Sequence, residues 1–597
     1  MTTTATPAHR SSDELTPRQI TTILIGLMSG MFLAALDQNV VGTAMKTIAD
    51  ELHGLDQQVW VTTAYMITST ISTPIYGKLS DLYGRKKFFL TAITIFIIGS
   101  AMCSFATSMP MLSVFRAIQG LGAGGLFSLA LAIVGDIVPP RERAKYQGYF
   151  LAVFGTSSVF GPIIGGFFSE APTVVGITGW RWVFLINIPV GIFALIAVTA
   201  TLHLHHIKRQ AVIDWLGAAT LVIGVVPLLL VAEQGRTWGW TSTNSILAYV
   251  IGVVGLAAFI WAERRAGDHA LIPLKIFKNR IIVISLSGGF VIGAGMFGGM
   301  ITIPQYLQIV HGSSPTQSGV QLLPLVLGMM IASVVSGQLI SRTGHLRIFP
   351  IIGVGLMAVA MLLLSRIGAD TPWWQLITFM AIFGLGLGNT MQPLTLAVQS
   401  SVAPREIGMA TSSATFFRQM GGTLGVAVFL SLLFNTLGDN IKTAFINAAK
   451  TPDFQAAVRD PNVLANPVNA TFIKALTSGD ASALSAVSSD SSLISKLDPR
   501  LAYPFKVGFS QSMDLVFLVG AIVCAVGLVV LLFMPKVVLS GKSASAQLKA
   551  EARKHSLRDE LVEVAAIEAG GHTMEELDDN EDDGDDPRSN SALAGLH

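Results

Sequence analysis

The chain has 597 residues, of which 51% are hydrophobic and only 13% charged, and its mean hydropathy is +0.60. A water-facing globule carries about 25% charged residues, so this composition excludes one and describes a polytopic helical membrane protein. The formal net charge of +2 averages over two sides of a membrane and gives no sign of a nucleic-acid partner. Cys103 and Cys524 both lie inside apolar runs, which argues against a disulfide framework and against a metal site.

Residues 1–19 are polar and lead into the first apolar run without a short apolar core or a small-residue cleavage site. A cytoplasmic tail followed by an uncleaved anchor is therefore expected. Runs of about 20 mostly apolar residues, the length that crosses a ~30 Å hydrocarbon core, fall at 20–41, 59–79, 88–107, 111–136, 146–169, 182–203, 212–232, 245–264, 281–307, 319–341, 348–366, 374–400, 408–434 and 511–535. That makes fourteen spans. One set of connecting segments holds most of the basic residues, among them Arg85, Lys86, Lys87, Arg141, Arg143, Lys145, Arg264, Arg265, Lys275, Lys278, Arg342 and Arg347, and the other set holds only Lys46, Arg181, Arg236 and Arg366. The basic side is expected to be cytoplasmic, and an even number of spans puts both termini there.

The chain is internally duplicated. Arg116 to Glu142 reads RAIQGLGAGGLFSLALAIVGDIVPPRE and Met380 to Glu406 reads MAIFGLGLGNTMQPLTLAVQSSVAPRE; at a constant offset of 264, Ala117, Ile118, Gly120, Leu121, Gly122, Gly124, Pro140, Arg141 and Glu142 recur. Arg116 has no counterpart, because Met380 stands in its place. The segment from Gly77 to Lys87 likewise matches that from Gly337 to Arg347, with Asp81 replaced by Ser341. Six spans thus match six. The domain reading is a cytoplasmic tail (1–19), a six-helix bundle (20–204), two linker helices (205–280), a second six-helix bundle (281–535) with a long extracytoplasmic loop (435–510), and a cytoplasmic acidic tail (536–597). Parallel repeats of six helices around a midplane cavity are one architecture of secondary transporters.

Four motifs and a helix entry extend this reading. They are Leu36-Asp37-Gln-Asn-Val-Val in the first span, Gly77 to Lys87 after the second, Arg116-Ala-Ile-Gln-Gly-Leu-Gly in the fourth, and Gly155 through Gly161-Pro162-Ile-Ile-Gly165-Gly166 in the fifth. Trp180-Arg-Trp-Val-Phe-Leu-Ile-Asn187-Ile-Pro189 opens the sixth. In order and in these compartments they resemble the major facilitator superfamily, in particular its fourteen-helix drug:proton antiporters; Gln38, Asn39 and Gly42 depart from the usual first-helix pattern. The resemblance covers roughly residues 18–535 apart from the long loop. It implies an all-α membrane protein of two six-helix bundles plus two linker helices. It also implies a multi-pass cell-membrane exporter of lipophilic or cationic drugs that takes up protons in exchange, works as a monomer in contact with membrane lipids, and needs no cofactor. Exporters of lipids or amphipathic metabolites, and a non-transporting sensor, are the alternatives on the same fold.

The residues carry chemistry of their own. An ionised carboxylate inside a span, Asp37, is costly and is retained mainly for a role. The resemblance pairs it with Arg116, and a carboxylate held between burial and a cation can load and release a proton. The alternative is a helix-end or packing carboxylate, with Arg116 tying helices together through carbonyls and Gln119. Gly77 and Gly84 allow a tight reversal, and Asp81 can cap a helix or pair with an arginine such as Arg141, which with Arg85 makes a conformational latch; the basic residues also set topology. Gly161, Pro162, Gly165 and Gly166 give a close-packed, bent helix, and the resemblance associates it with antiport. Gln119, Gln305, Asn389 and Gln392 are the candidates for lining a substrate cavity, though amides also glue helices together. Arg418 reads as structural, and Glu233 and Asp514 as carboxylates near outer span ends. His203, His205 and His206 sit beside Lys208 and Arg209 and read as a solvated interfacial stretch.

The segment 435–510 is rich in Ala, Ser, Asn and Asp, with plausible helical turns at Leu437 to Ala449 and Asn469 to Leu476. The tail holds an expected amphipathic helix at 546–569 and the acidic run Glu575 to Asp586. A primary pump is disfavoured, since Gly541-Lys542-Ser543 has Lys536 where a phosphate loop needs its first glycine. No Ser/His/Asp or metal constellation marks an enzyme.

Overall fold

A computed structural model describes residues 17–53, 57–202, 214–477, 494, 496–537 and 539. The readings made for residues 1–16, for His203, His205 and His206, and for the tail beyond 540 lie outside the described residues. The first repeat comprises α1 (Pro17–Glu51), α2 (Gln58–Tyr83), α3 (Arg85–Ser104), α4 (Met109–Ile137), α5 (Pro140–Glu170), and the broken pair α6 (Trp182–Leu185) and α7 (Asn187–Thr201). Two helices follow, α8 (Trp215–Trp238) and α9 (Thr243–Ala266). The second repeat comprises α10 (Arg280–Ile309), the pair α11 (Pro315–Gln321) and α12 (Leu323–Thr343), α13 (Ile348–Leu364), α14 (Trp373–Gln399) and α15 (Ile407–Ala448). Short helices α16 (Pro452–Arg459), α17 (Pro461–Leu464) and α18 (Pro467–Thr477) lead to the last long one, α19 (Pro499–Leu532).

Among the described residues eleven helical stretches are long and apolar enough to cross a membrane. α13 is apolar but only 17 residues long. α2 and α14 have the length, but Ser and Thr lower the hydropathy of the one, and Gln375, Asn389, Gln392 and Gln399 that of the other. Fourteen helical stretches therefore occupy the fourteen expected runs. Small residues let them approach closely, as they do in membranes generally. A Cβ on Gly122 would stand 2.6 Å from the Ala92 carbonyl, and one on Gly328 would stand 2.6 Å from the Ala381 carbonyl. Both repeats use glycine where helix backbones touch.

The sixth span is interrupted at Ile186, which separates α6 from α7 and puts Asn187 at the head of α7. Before it, Thr173–Val174 and Ile177–Thr178 form a two-residue-per-strand hairpin, turned by Val175 and Gly176 at φ of 51° and 77°. Positive φ at both central turn positions is the twist such hairpins require.

The segment 435–510 departs from the loop that its composition implied. α15 continues unbroken to Ala448, and α19 begins at Pro499 rather than at 511. The expected turn at Leu437 to Ala449 is thus the end of a 42-residue helix, and the one at Asn469 to Leu476 belongs to α18. The cause is an apolar stripe: Leu433, Leu437, Ile441, Phe445 and Ala448 recur at helical spacing and are buried. They face Leu501, Phe505 and Phe509 of α19, with the Phe445 and Phe505 rings 4.7 Å apart. Phe454 of α16 and Phe472 of α18 close on Phe445 at 6.0 Å each. Phe445, Phe454, Phe472 and Phe505 of the segment thus meet in one cluster.

Candidate functional site

The first repeat encloses a buried polar cluster. Asp37 of α1 has no solvent exposure and Arg116 of α4 is 2% exposed, and Arg116 donates to Asp37 Oδ2 at 2.6 Å. Asp37 Oδ1 accepts from Gln119 Nε2 at 2.9 Å and from Asn187 Nδ2 at 2.7 Å. Gln119 Oε1 accepts a second bond from Arg116 at 2.8 Å. The guanidinium also lies over the Tyr65 ring of α2, 4.0 Å from its centroid, a contact that offsets part of its lost hydration. Asn187 reaches Ser100 Oγ of α3 at 3.0 Å, and Ser100 donates to the Phe184 carbonyl at 2.9 Å. Five helices of the first repeat, α1, α2, α3, α4 and α7, thus meet at one carboxylate.

Chemically, this is an ion pair whose neutrality depends on the proton state of Asp37. A buried pair is neutral as a unit, but removing one charge leaves the other uncompensated in a low dielectric, at a cost of about 3–5 kcal/mol. Protonating Asp37 would leave Arg116 in need of another acceptor. Arg116 Nε and Asn187 Oδ1 have no partner, so the cluster has unused hydrogen-bonding capacity.

Asp37 is linked in space to the opposite repeat through α5. Gly161 and Gly165 present bare backbone to α1. A Cβ on Gly161 would run into Asn39, two residues after Asp37, and one on Gly165 would stand 2.7 Å from the Val40 carbonyl. On its other side α5 packs along α11 and α12. Pro162 lies against Gly319, Gly166 faces Thr316, and Gly155 meets Val326. The helix is clamped between α1 of one repeat and α11 and α12 of the other.

A second charged cluster lies where the short basic segments converge. Arg85 bridges Asp81 and Asp136, with its Nε 2.7 Å from Asp136 Oδ2, while NH1 donates to Ser80 Oγ at 2.7 Å. Asp81 in turn accepts from the backbone amides of Gly408 at 3.2 Å and Met409 at 2.7 Å, the unpaired donors at the start of α15. Gly84, at φ 104°, makes the break between α2 and α3 that aims Asp81 and Arg85 at each other. Gly77 gives room for Ser412. The pairing of Asp81 with Arg141 is not formed: Arg141 is exposed, and Asp81 is already held by Arg85 and by the helix end. Two residues on, Arg143 is buried, its Nε donating to the Val138 carbonyl at 2.7 Å. Nearby, Gln399 Nε2 bonds the Leu131 carbonyl and Thr411 Oγ1 at 3.1 Å each, and its Oε1 accepts from Gln147 at 3.2 Å. The two repeats are closed against each other at this end.

The four amides expected in a cavity are dispersed. Gln119 is fully buried in the Asp37 cluster. Asn389 donates to its own helix at the Leu385 carbonyl. Gln305 and Gln392 each hold a buried oxygen with no partner. A cavity of about 250 Å³ lies elsewhere, lined by Phe277, Leu286, Phe290, Val291 and Phe417, and none of the four amides lines it. The sequence reading gave no role to Asn187, Tyr65 or Asp136. Asp136 was detectable as the lone acid in the apolar run of α4, whereas Tyr65 and Asn187 join the site only through tertiary packing.

The family description "Major Facilitator Superfamily" matches residues 27–426. The multidrug transporter protein MdtP of Bacillus subtilis is 36% identical over 538 residues, 89% of this chain and 96% of the relative. Multidrug resistance protein 3 of the same organism is 37% identical over 436 residues, 72% of this chain and 84% of the relative. Among solved structures, the proton:xylose symporter XylE aligns with a TM-score of 0.50 at 13% identity, covering 89% of this chain and 98% of that one. The human organic anion transporter MFSD10 aligns at 0.52 and 16%, covering 70% and 94%. At such identities those two bear on the fold alone. With the matched family and relatives spanning most of its length, this multi-pass membrane protein belongs to the Major Facilitator Superfamily of transporters.

Proposed function

We propose that the protein exports lipophilic or cationic drugs in exchange for protons, by rocking residues 20–204 against residues 281–535 with residues 205–280 as a bridge and both termini in the cytoplasm. The observation that carries this reading is the buried Asp37–Arg116 pair with its Gln119 and Asn187 donors. It is a site in the first repeat, fully removed from solvent, where a proton gained or lost changes a buried charge balance. The multidrug names of relatives at 36% and 37% identity support the substrate class. Closure at the Asp81 end, which the basic segments make cytoplasmic, fits a state with its cytoplasmic side shut. In that state, protonation of Asp37 from outside would free Arg116, loosen the contact of α1 with α4 and favour substrate release.

The test is purified protein in proteoliposomes with an imposed pH gradient, challenged with ethidium, wild type against Asp37→Asn. Coupled cation efflux and proton influx, both lost in the variant, are the expected result. If the wild type moves no protons on adding ethidium, the drug:proton reading fails and export of lipids or amphipathic metabolites takes its place.

A further inference from the structure

Arg418 stands inside the second repeat without a partner. It lies on α15 eleven residues on from the helix start at Ile407, and among the described residues no hydrogen bond or ion pair reaches its guanidinium. It lines a small cavity with Ser285 and Ile292 of α10 and with Met391, Leu394 and Thr395 of α14. Ser285 is 2% exposed and its hydroxyl also has no partner. A half-buried cation and a buried hydroxyl donor, neither with a protein partner, face one cavity. These helices correspond through the duplication to α1, α4 and α5, which hold or abut the neutral Asp37–Arg116 pair in the first repeat.

Among the described residues no acid on a neighbouring element balances the charge; on α4, Asp136 is held by Arg85. α10 and α14 carry no acid. On α2, Asp81 is held at Met409, nine residues from Arg418 and roughly 14 Å along the helix. On α8, Glu233 lies near Thr63, ten residues up α2 from the Thr73 that meets Gln419, roughly 15 Å away. On α19, Asp514 lies near Ser512, whose partner Asn440 is roughly 33 Å along α15 from Arg418. Asp439 is exposed at that same far end.

An unpaired cation within a membrane span is expensive and marks a binding site by default. We propose that Arg418 and Ser285 bind an oxyanion, the carboxylate or phosphate head group of an amphiphile, so that the protein accepts anionic amphiphiles as well as cations. The cavity measures about 10 Å³, room for about one water-sized atom. It takes one oxygen of such a group, held by the guanidinium and the hydroxyl, and the apolar remainder stays outside it. As a statement about what is carried, this rests on the exporter reading; as a binding site it does not.

The experiment is isothermal titration of the full-length protein in a non-ionic detergent with octanoate, and with octylammonium as the charge-reversed control. Octanoate is expected to bind the wild type, with Kd raised at least about tenfold in Arg418→Gln and about threefold in Ser285→Ala, as loss of a charged and of a neutral hydrogen bond predicts. Arg418→Lys should recover most of the affinity, and octylammonium should not respond to either position. Ser285→Ala removes only a hydroxyl and keeps the test decisive if Arg418→Gln folds poorly. A wild type that binds octanoate but shows no ethidium-coupled proton movement would sink the exporter reading alone. If octanoate fails but phosphatidylglycerol nanodiscs stabilise the wild type over Arg418→Gln, relative to phosphatidylcholine ones, the oxyanion is a lipid phosphate. Equal behaviour of wild type and both variants toward octanoate and phosphatidylglycerol overturns the site.

Discussion

Asp81 accepts a 2.7 Å hydrogen bond from the backbone amide of Met409, 328 residues further along the chain and in the opposite repeat. A carboxylate at a helix start satisfies orphan amide donors and meets the positive end of the helix dipole. Because α2 and α15 belong to different repeats, the bond exists only while that end of the molecule is closed.

The first prediction follows from that dependence. Losing a helix cap costs about 0.5–2 kcal/mol, so Asp81→Ala should speed hydrogen exchange at the Gly408 and Met409 amides by roughly tenfold. Exchange within α13, remote from the contact, should stay as it was. Unchanged protection at the start of α15 would mean that the contact does not hold the repeats together.

Arg116 and Asp37 support a stability prediction that a surface ion pair would not. Replacing Arg116 by Gln strands Asp37 among donors suited to its charge, and should destabilise the protein by about 3–5 kcal/mol. In Asp37→Asn/Arg116→Gln neither charge remains, and the double variant should melt above the Arg116→Gln single variant in detergent. Additive losses in thermal unfolding would argue against a coupled pair. Arg116→Lys should not restore function, since a lysine cannot stack on Tyr65 while reaching both Asp37 and Gln119.

Much of this was legible in the sequence, for identifiable reasons. Spans announce themselves by length and apolarity, and the duplication by identities at a fixed offset, so the architecture could be written down from hydropathy and repetition. Asp37 and Arg116 stood out because charge inside an apolar run is costly. What stayed hidden depended on which side chains meet. Asn187 looked like part of a helix entry until the break at Ile186 placed it beside Asp37. Asp81 had an arginine partner four residues away, Arg85, rather than Arg141. The segment 435–510 read as a loop because Ala, Ser and Asn dilute its apolar stripe below the level that marks a span, although the helical spacing of Leu437, Ile441 and Phe445 was present.

Gly165 tests whether close approach of α1 and α5 matters to the transport cycle. A methyl group there would press on the Val40 carbonyl at 2.7 Å, whereas one on Gly355 meets nothing within 4 Å. Overpacking of this kind costs about 1–3 kcal/mol. Gly165→Ala should therefore lower the melting temperature and slow ethidium efflux, with Gly355→Ala as a matched control that does neither. Equal behaviour of the two variants would remove the α1–α5 contact from the mechanism.

The aromatic cluster at the far end of α15 distinguishes a built element from a decorative one. Phe445 is 7% exposed and touches Phe454, Phe472 and Phe505. Its truncation removes the one ring common to α15, α16, α18 and α19, and buried Phe→Ala changes cost about 3–5 kcal/mol. Because α16 to α18 are short, with few contacts to hold them otherwise, the loss should appear as local opening before global unfolding. Phe445→Ala should make the stretch from Thr451 to Thr477 sensitive to limited proteolysis while the membrane helices stay protected. The Arg500 bridge to Asp460 at 3.1 Å is exposed, and solvent screens exposed pairs, so Arg500→Gln should change the cleavage rate far less. If Arg500→Gln opens the segment as much as Phe445→Ala does, charge rather than aromatic packing holds these helices in place.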